Sequence, residues 1–264
     1  MNILISHKHR VLHLALNRQE KRNALNAEMC RSLVKEVTAA QDRDDVGSIL
    51  ITAVGTVFCS GMDLDEARGP NEANLTAAHE ALFTMGATSV KPIIVAVNGA
   101  ALGGGLGLAA QGHVVLAAEG AGMGLPEIKI GLWPFLVYRS VEAALGPRRT
   151  LALSLSGALF HAEEAKEWGL VQVVCPAAEI ADISKAMARE LAKASPLAIS
   201  TGMQYYHESR HLKSAEAGLL AARLRDNIMA SSDFAEGCLA FKQKREPKWP
   251  SMPDSFYHNS KVAS

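Results

Sequence analysis

The stretch GGGLGLAAQG, residues 103–112, sits inside a run with no charged residue from Pro92 to Ala118. Glycine is about 0.5–1 kcal/mol less favourable than alanine inside a helix or strand. Three consecutive glycines and a fourth at Gly107 therefore call for bare backbone rather than for core. The apolar run PIIVAV precedes the cluster and HVVLAA comes after it, so GGLGLAAQ reads as a short helix between two buried strands.

A dinucleotide site is the first use to weigh. Residues 105–110 match G-x-G-x-x-A after a strand, and Glu119 ends the next one. The acid of that pattern belongs about 20 residues beyond it, and a crossover needs roughly 10–12 residues including its helix. The interval from Gly105 to His113 holds barely two helical turns, which argues against a nicotinamide site. A phosphate loop is excluded because no G-K-[ST] is present after the glycines.

The glycines can instead deliver N–H groups. A Gly-rich turn entering a helix leaves its first amides unpaired, with the helix dipole adding positive character. Such amides hold a developing oxyanion where no Cβ blocks the approach. Tight helix–strand packing is the alternative. A second stretch favours donation: GTVFCSGMDLDE, residues 55–66, comes after the strand SILITAV and again puts a small residue and a glycine, Ser60 and Gly61, just past a hydrophobic run.

Composition frames these motifs. The chain has 264 residues, 48% of them hydrophobic, enough to bury a large core. Lys+Arg and Asp+Glu both total 27, so nothing favours nucleic acid as a partner. Cys30, Cys59, Cys175 and Cys238 show no paired spacing and read as buried thiols in a reducing compartment, and no metal-ligand pattern is present. MNILISHKHRVLHLALNR carries no secretory signal, and the Pro92–Ala118 run contains Pro92, Asn98, Gln111, His113 and six glycines. That run reads as a buried α/β segment rather than a membrane span, and the expectation is a cytoplasmic protein.

Elements alternate: RVLHLALN is a strand, Asn26 caps a helix with Met29, Leu33 and Val37 on one face, and NEANLTAAHEALFTM is helical. This is an α/β pattern. After about residue 135 helical periodicity dominates, with only VQVVCP extended, and the Pro- and Ser-rich tail from Pro247 reads as loosely held.

The pieces LNRQEKRNALNAEM, FCSGMDLDE, KPIIVAVNGAALGGGLGLA, LPEIKIGLWP, EEAKEWGLVQVV and FAEGCLAFKQKR together resemble the enoyl-CoA hydratase/isomerase family, the crotonases, in family order over roughly residues 1–246. The resemblance implies a crotonase-like spiral of ββα units over residues 1–199, and a helical trimerisation region and tail over 200–264. It implies a homotrimer or a dimer of trimers, an acyl-CoA substrate and no separate cofactor, the CoA being part of the substrate.

Carried over residue by residue, the resemblance makes the N–H groups of Met62 and Gly104 the donors to a thioester oxygen. Ser60, Gly61, Gly103 and Gly107 then line the substrate site, and the backbone of Met62, Asp63 and Leu64 lines the CoA path. Lys21 and Arg22 match a basic position that meets CoA phosphates, with an exposed helix-entry charge as the other reading. Phe241 and Lys244 align with positions that reach a neighbouring subunit's CoA, with helix packing as the alternative for Phe241. Glu127 matches a catalytic glutamate; otherwise it is a surface acid at a helix start. Trp133 and Phe135 are candidates for the pocket wall.

Typical hydratases carry a second glutamate at the position of Gly107, which this chain lacks. One carboxylate suffices to move a proton between carbons, as in Δ3,Δ2-enoyl-CoA isomerisation, and holds water for syn addition less easily. Isomerisation is therefore the expected reaction, with hydration by Glu127 alone or a catalytically silent binding protein as alternatives. Phe135 stands where dienoyl-CoA isomerases have an acid, which excludes that reaction. His113, where relatives have aspartate, reads as a hydrogen-bonded core histidine.

Overall fold

In the computed structural model, residues 1–69, 72–253 and 256 are described. The chain opens with a hairpin of β1 (Ile3–Lys8) and β2 (Val11–Leu16). His9 and Arg10 turn it, both left-handed with φ 53° and 60°. That backbone suits the twist of a two-residue hairpin loop, but neither residue announces it, and β1 went unread in the sequence. Helix α1 (Ala27–Gln41) comes next, with Asn26 Oδ1 accepting the Met29 N–H at 2.9 Å.

Three passes of the chain then each lay down one strand in each of two sheets. They are β3 (Ser48–Ala53) with β4 (Val57–Cys59), β5 (Ile93–Val97) with β6 (Ala100–Leu102), and β7 (Val114–Ala118) with β8 (Gly122–Gly124). Helices α2 (Leu64–Ala67) and α3 (Glu72–Leu82) separate the first two passes, and α4 (Gly104–Ala109) the second and third. After α5 (Phe135–Leu145) and α6 (Pro147–Ser156) come β9 (Leu159–His161), α7 (Ala162–Glu167), β10 (Val173–Cys175) and α8 (Ile180–Lys193). The larger sheet runs β1-β2-β3-β5-β7-β10 and the smaller β4-β6-β8-β9. Every pairing from β2 to β10 is parallel, as are β4-β6 and β6-β8.

The apolar runs of the larger sheet are explained by burial on both faces. Ile49, Ile51, Val95, Val97 and Val115 enter the main core with α1 and the smaller sheet. Leu50, Ile94, Ala96 and Leu116 face the other way, onto Ala188 and Ala192 of α8.

A helical layer closes the chain: α9 (Pro196–Ser209), α10 (Ser214–Met229) and α11 (Ser232–Gln243). It begins at Pro196 behind the N-cap Ser195, so a boundary after residue 199 would cut a helix. The helical reading beyond residue 135 also missed β9. Residues 254–255 and 257–264 of the tail lie outside the described residues, but Pro247–Pro253 is fastened rather than loose. Trp249 Nε1 donates to Lys193 O at 2.8 Å, and Met252 is buried. Buried Asp233 accepts bonds from the Ser195 hydroxyl and from the N–H and hydroxyl of Ser251. Of the cysteines, Cys238 is exposed, against expectation, on α11 where it lines an apolar groove.

Removing a buried acceptor strands its donors, at roughly 1–3 kcal/mol. Asp233→Ala is therefore expected to destabilise the protein by about 2–3 kcal/mol in urea denaturation, and to expose the Trp249 indole to fluorescence quenchers.

Candidate active site

The smaller sheet positions the site. In its parallel register Cys59 faces Ala101 and Leu102 faces Gly124, so β4, β6 and β8 end side by side. Each of these strands runs directly into a turn: Ser60-Gly61-Met62 after β4, Gly103-Gly104 after β6 and Leu125-Pro126-Glu127 after β8. The three turns are neighbours. A Cβ on Gly61 would lie 3.6 Å from the Gly104 nitrogen, and one on Gly103 would lie 2.6 Å from Glu127 Oε1.

Each amide is aimed by its surroundings. Leu25 donates to Gly61 O at 2.8 Å and accepts from the Asp63 N–H at 3.0 Å, a parallel bridge centred on Met62. In such a bridge the central residue's own N–H takes no part in the pairing with the partner strand. Gly104 begins α4, where the N–H groups of the first turn have no intrahelical acceptor. Gly103 precedes it with φ 52° and ψ −115°. Glycine is required there twice over, for that backbone conformation and for the approach of the Glu127 carboxylate.

Glu127 rides the 3-10 turn Pro126–Ile130, started by a proline and closed by left-handed Gly131. Its Oε2 is buried and makes no hydrogen bond among the described residues. Burial pushes the carboxyl above its usual pKa. The arrangement sets one proton-accepting carboxylate beside two main-chain donors, the equipment to remove a proton next to a carbonyl and hold the resulting oxyanion.

Residues unnoticed in the sequence build the first turn. Arg18 pairs with Asp63 at 3.0 Å and donates to Ala24 O at 2.6 Å. Buried Asn23, left-handed at φ 54°, donates to Val54 O and Val57 O and accepts the Arg18 N–H. Asparagine tolerates that conformation better than most side chains, the one signal the NRQEKRN stretch offered. The Asp63 side chain is consumed by Arg18 and by capping α2, and its N–H and C=O are bonded to Leu25 O and to the Ala67 N–H. Lys21 pairs with Asp65 at 2.9 Å at the surface, while Arg22 and Leu64 are exposed nearby.

Gly107 is a correction. It does not face open pocket: a Cβ there would meet Val137 Cβ at 2.8 Å and Phe83 Cε1 at 3.0 Å. The second-carboxylate position is thus filled by apolar side chains from α5 and the end of α3. Trp133 is half-buried on Tyr138, with ring centroids 6.1 Å apart, but Phe135 is 72% exposed and forms no wall within the chain. Phe241 lines an apolar groove with Ile228, Phe234 and Trp249 in the C-terminal layer, and Lys244 ends that helix. Within one chain Phe241 belongs to that groove and Lys244 to the C-cap of α11.

His113 is the bonded core histidine expected. Its Nδ1 accepts the Ile93 N–H at 2.9 Å, so its Nε2 carries the proton donated to Gly86 O at 3.2 Å. Burial holds its pKa down to about 4. Among the described residues no group of three or more His, Cys, Asp or Glu is arranged to hold a metal, and no helix is long and apolar enough to cross a membrane.

Comparisons with known proteins show what the chain as a whole is similar to. A family-wide sequence profile described as enoyl-CoA hydratase/isomerase matches residues 6–252. A 2,3-dehydroadipyl-CoA hydratase of Escherichia coli (strain K12) is 36% identical over 252 residues, covering 93% of this chain and 97% of that one. A probable enoyl-CoA hydratase of Mycobacterium bovis is 32% identical over 249 residues, covering 94% and 97%. The crystal structure of an enoyl-CoA hydratase from Bacillus anthracis superposes with TM-score 0.88 at 27% identity, covering 95% of this chain and all of that one.

Two consequences are measurable. A carboxyl whose folded pKa is raised supports the fold only while protonated, fully below its unfolded value of about 4.3 and not above the folded pKa. Glu127→Gln, which cannot ionise, should therefore be more stable than wild type in urea at neutral pH, and lose that advantage below about pH 4. An equal advantage at both pH values would contradict burial of an ionisable group. Gly107→Glu should lower stability by about 1–3 kcal/mol in thermal denaturation through overpacking, with Val137→Ala in the same chain restoring part of it.

Proposed function

The chain belongs to the enoyl-CoA hydratase/isomerase family, and from that premise we propose that it is an acyl-CoA enzyme with one proton-carrying carboxylate, whose reaction is Δ3,Δ2-enoyl-CoA isomerisation. The observation that carries this reading is the pairing of Glu127, packed on Gly103, with a Gly107 position closed by Val137 and Phe83. One carboxylate is available and a second has no room.

The N–H groups of Met62 and Gly104 receive the thioester oxygen. Glu127 takes a proton from C2 of the 3-enoyl thioester as the carbonyl oxygen gathers charge. Two preorganised donors at that oxygen are worth about 2.7–4 kcal/mol each. The enolate then collapses to the 2-enoyl thioester as the C3=C4 electron pair accepts the proton back from Glu127 at C4. No water enters or leaves, and a carboxyl raised by burial suits both halves of the transfer.

Around this centre the turns of Ser60, Gly61 and Gly103 bring the backbone close to the thioester. The Met62–Leu64 backbone with Lys21 and Arg22 serves the CoA moiety, and Trp133 lines the acyl side. Phe241 and Lys244 act across a subunit boundary in a homotrimer or a dimer of trimers. That assembly is supported by the exposed apolar side chains of Leu219, Leu239 and Phe241 on the C-terminal helices. Hydration through Glu127 alone is the second reading, favoured by the hydratase names of the relatives.

Glu127→Gln is expected to lower turnover by about 10²–10⁴-fold with CoA-ester binding retained; normal activity would remove Glu127 as the base. Incubation with crotonyl-CoA in isotopically labelled water separates the two reactions. Label appearing at C3 at a rate matching isomerisation would reverse the order of the readings.

A further inference from the structure

Gln111, at the C-terminal end of α4, is 6% exposed, and the isomerisation chemistry gives it nothing to do. Its Oε1 accepts the Gly86 N–H at 2.9 Å and its Nε2 donates to Phe83 O at 2.7 Å. His113 Nε2 holds Gly86 O from the other side. The Gly86 backbone is pressed so closely on the Gln111 carbonyl that a Cβ at Gly86 would overlap it. The segment after α3 is thus clamped to one end of α4. Its Phe83 ring reaches the other end, with Cζ 3.4 Å from where a Gly104 Cβ would sit and Cε1 3.0 Å from that of Gly107. His79 tilts against the same ring at 5.7 Å between centroids.

We propose that Gln111 is a positioning residue of this site: its two bonds to the Phe83–Gly86 segment hold the Phe83 ring against the Gly104 turn, and the ring selects among the acyl chains of the CoA thioester. The selection step rests on the acyl-CoA reading; the clamp does not. In the proposal, the acyl carbons of a carbonyl held at the Gly104 amide meet this ring, which is 7% exposed beside Gly104 and Gly107. Losing the carboxamide strands a buried donor and a buried acceptor of one short segment, and displacements of an ångström near a reacting group are felt strongly.

The experiment compares wild type, Gln111→Met, Gln111→Glu, Phe83→Leu and the Gln111→Met/Phe83→Leu double variant. Dissociation constants for butyryl-CoA and octanoyl-CoA and hydrogen exchange at the Gly86 amide are the readouts. Gln111→Met should deprotect Gly86 and change the octanoyl-to-butyryl ratio by about tenfold, with no further change in the double variant beyond Phe83→Leu. A merely structural role would scale both affinities together.

Gln111→Glu keeps the acceptor for Gly86 and donates to Phe83 O only when protonated, so the wild-type ratio should return as pH falls. His79, His113 and His207 are the titratable groups packed around this segment, and their own contribution is read from Gln111→Met over the same pH range. Should Gln111→Met not fold, Gln111→Glu on either side of its titration makes the same comparison. An unchanged ratio with Gly86 deprotected overturns the selection role, and unchanged Gly86 protection overturns the clamp. Wild type that binds neither ester would overturn the acyl-CoA reading, with Gly86 exchange still reporting on Gln111.

Discussion

The parallel register of β4, β6 and β8 is the constraint on which the site depends. Each strand is three residues long, and alone none would be stable. Paired in parallel, they end at one edge, so the chain leaves each of them through a turn at the same place. Two of those turns present main-chain N–H groups and the third presents Glu127. The turns that hold residues 62, 104 and 127 are thereby neighbours, although those residues are far apart along the chain.

The same proximity accounts for the glycines. Gly61 and Gly103 let the turns touch one another and let the Glu127 carboxylate rest on backbone. Gly107, one helical turn further on, serves packing instead: it admits Val137 and Phe83 against α4. Within one short helix, then, the glycines at the start clear space for chemistry and the last one closes it. Burying the carboxylate of Glu127 with an unpaired oxygen opposes folding, and the two-sided core of the larger sheet is what offsets that penalty.

Much of the fold was legible from residues. The fully apolar runs of β3, β5 and β7 and the capped, periodic α1 carry their pattern locally, because a strand buried on both faces and a half-buried helix impose it on their own residues. Of the three-residue strands only β10 was read, within VQVVCP; three residues such as Gly122–Gly124 cannot display a period. The left-handed pairs His9-Arg10 and Arg22-Asn23 were also missed, since they lack the glycine that usually marks such backbone. Nor did the tail reveal that Trp249 and Ser251 would find partners on α8 and α11, because those partners are distant in sequence.

By itself the sequence determined the α/β alternation, the two glycine turns after apolar strands, the carboxylate after Pro126 and the missing acid at Gly107. Each depends on residue type and near neighbours. Only the tertiary structure decided that the three turns share one edge, that the Gly107 position is closed by Val137 of α5 and by Phe83 just after α3, and that Asp63 is committed to Arg18. It also decided that Gln111, one polar residue in an apolar run, fastens the segment bearing Phe83. These are contacts between residues far apart along the chain, and no local preference encodes them.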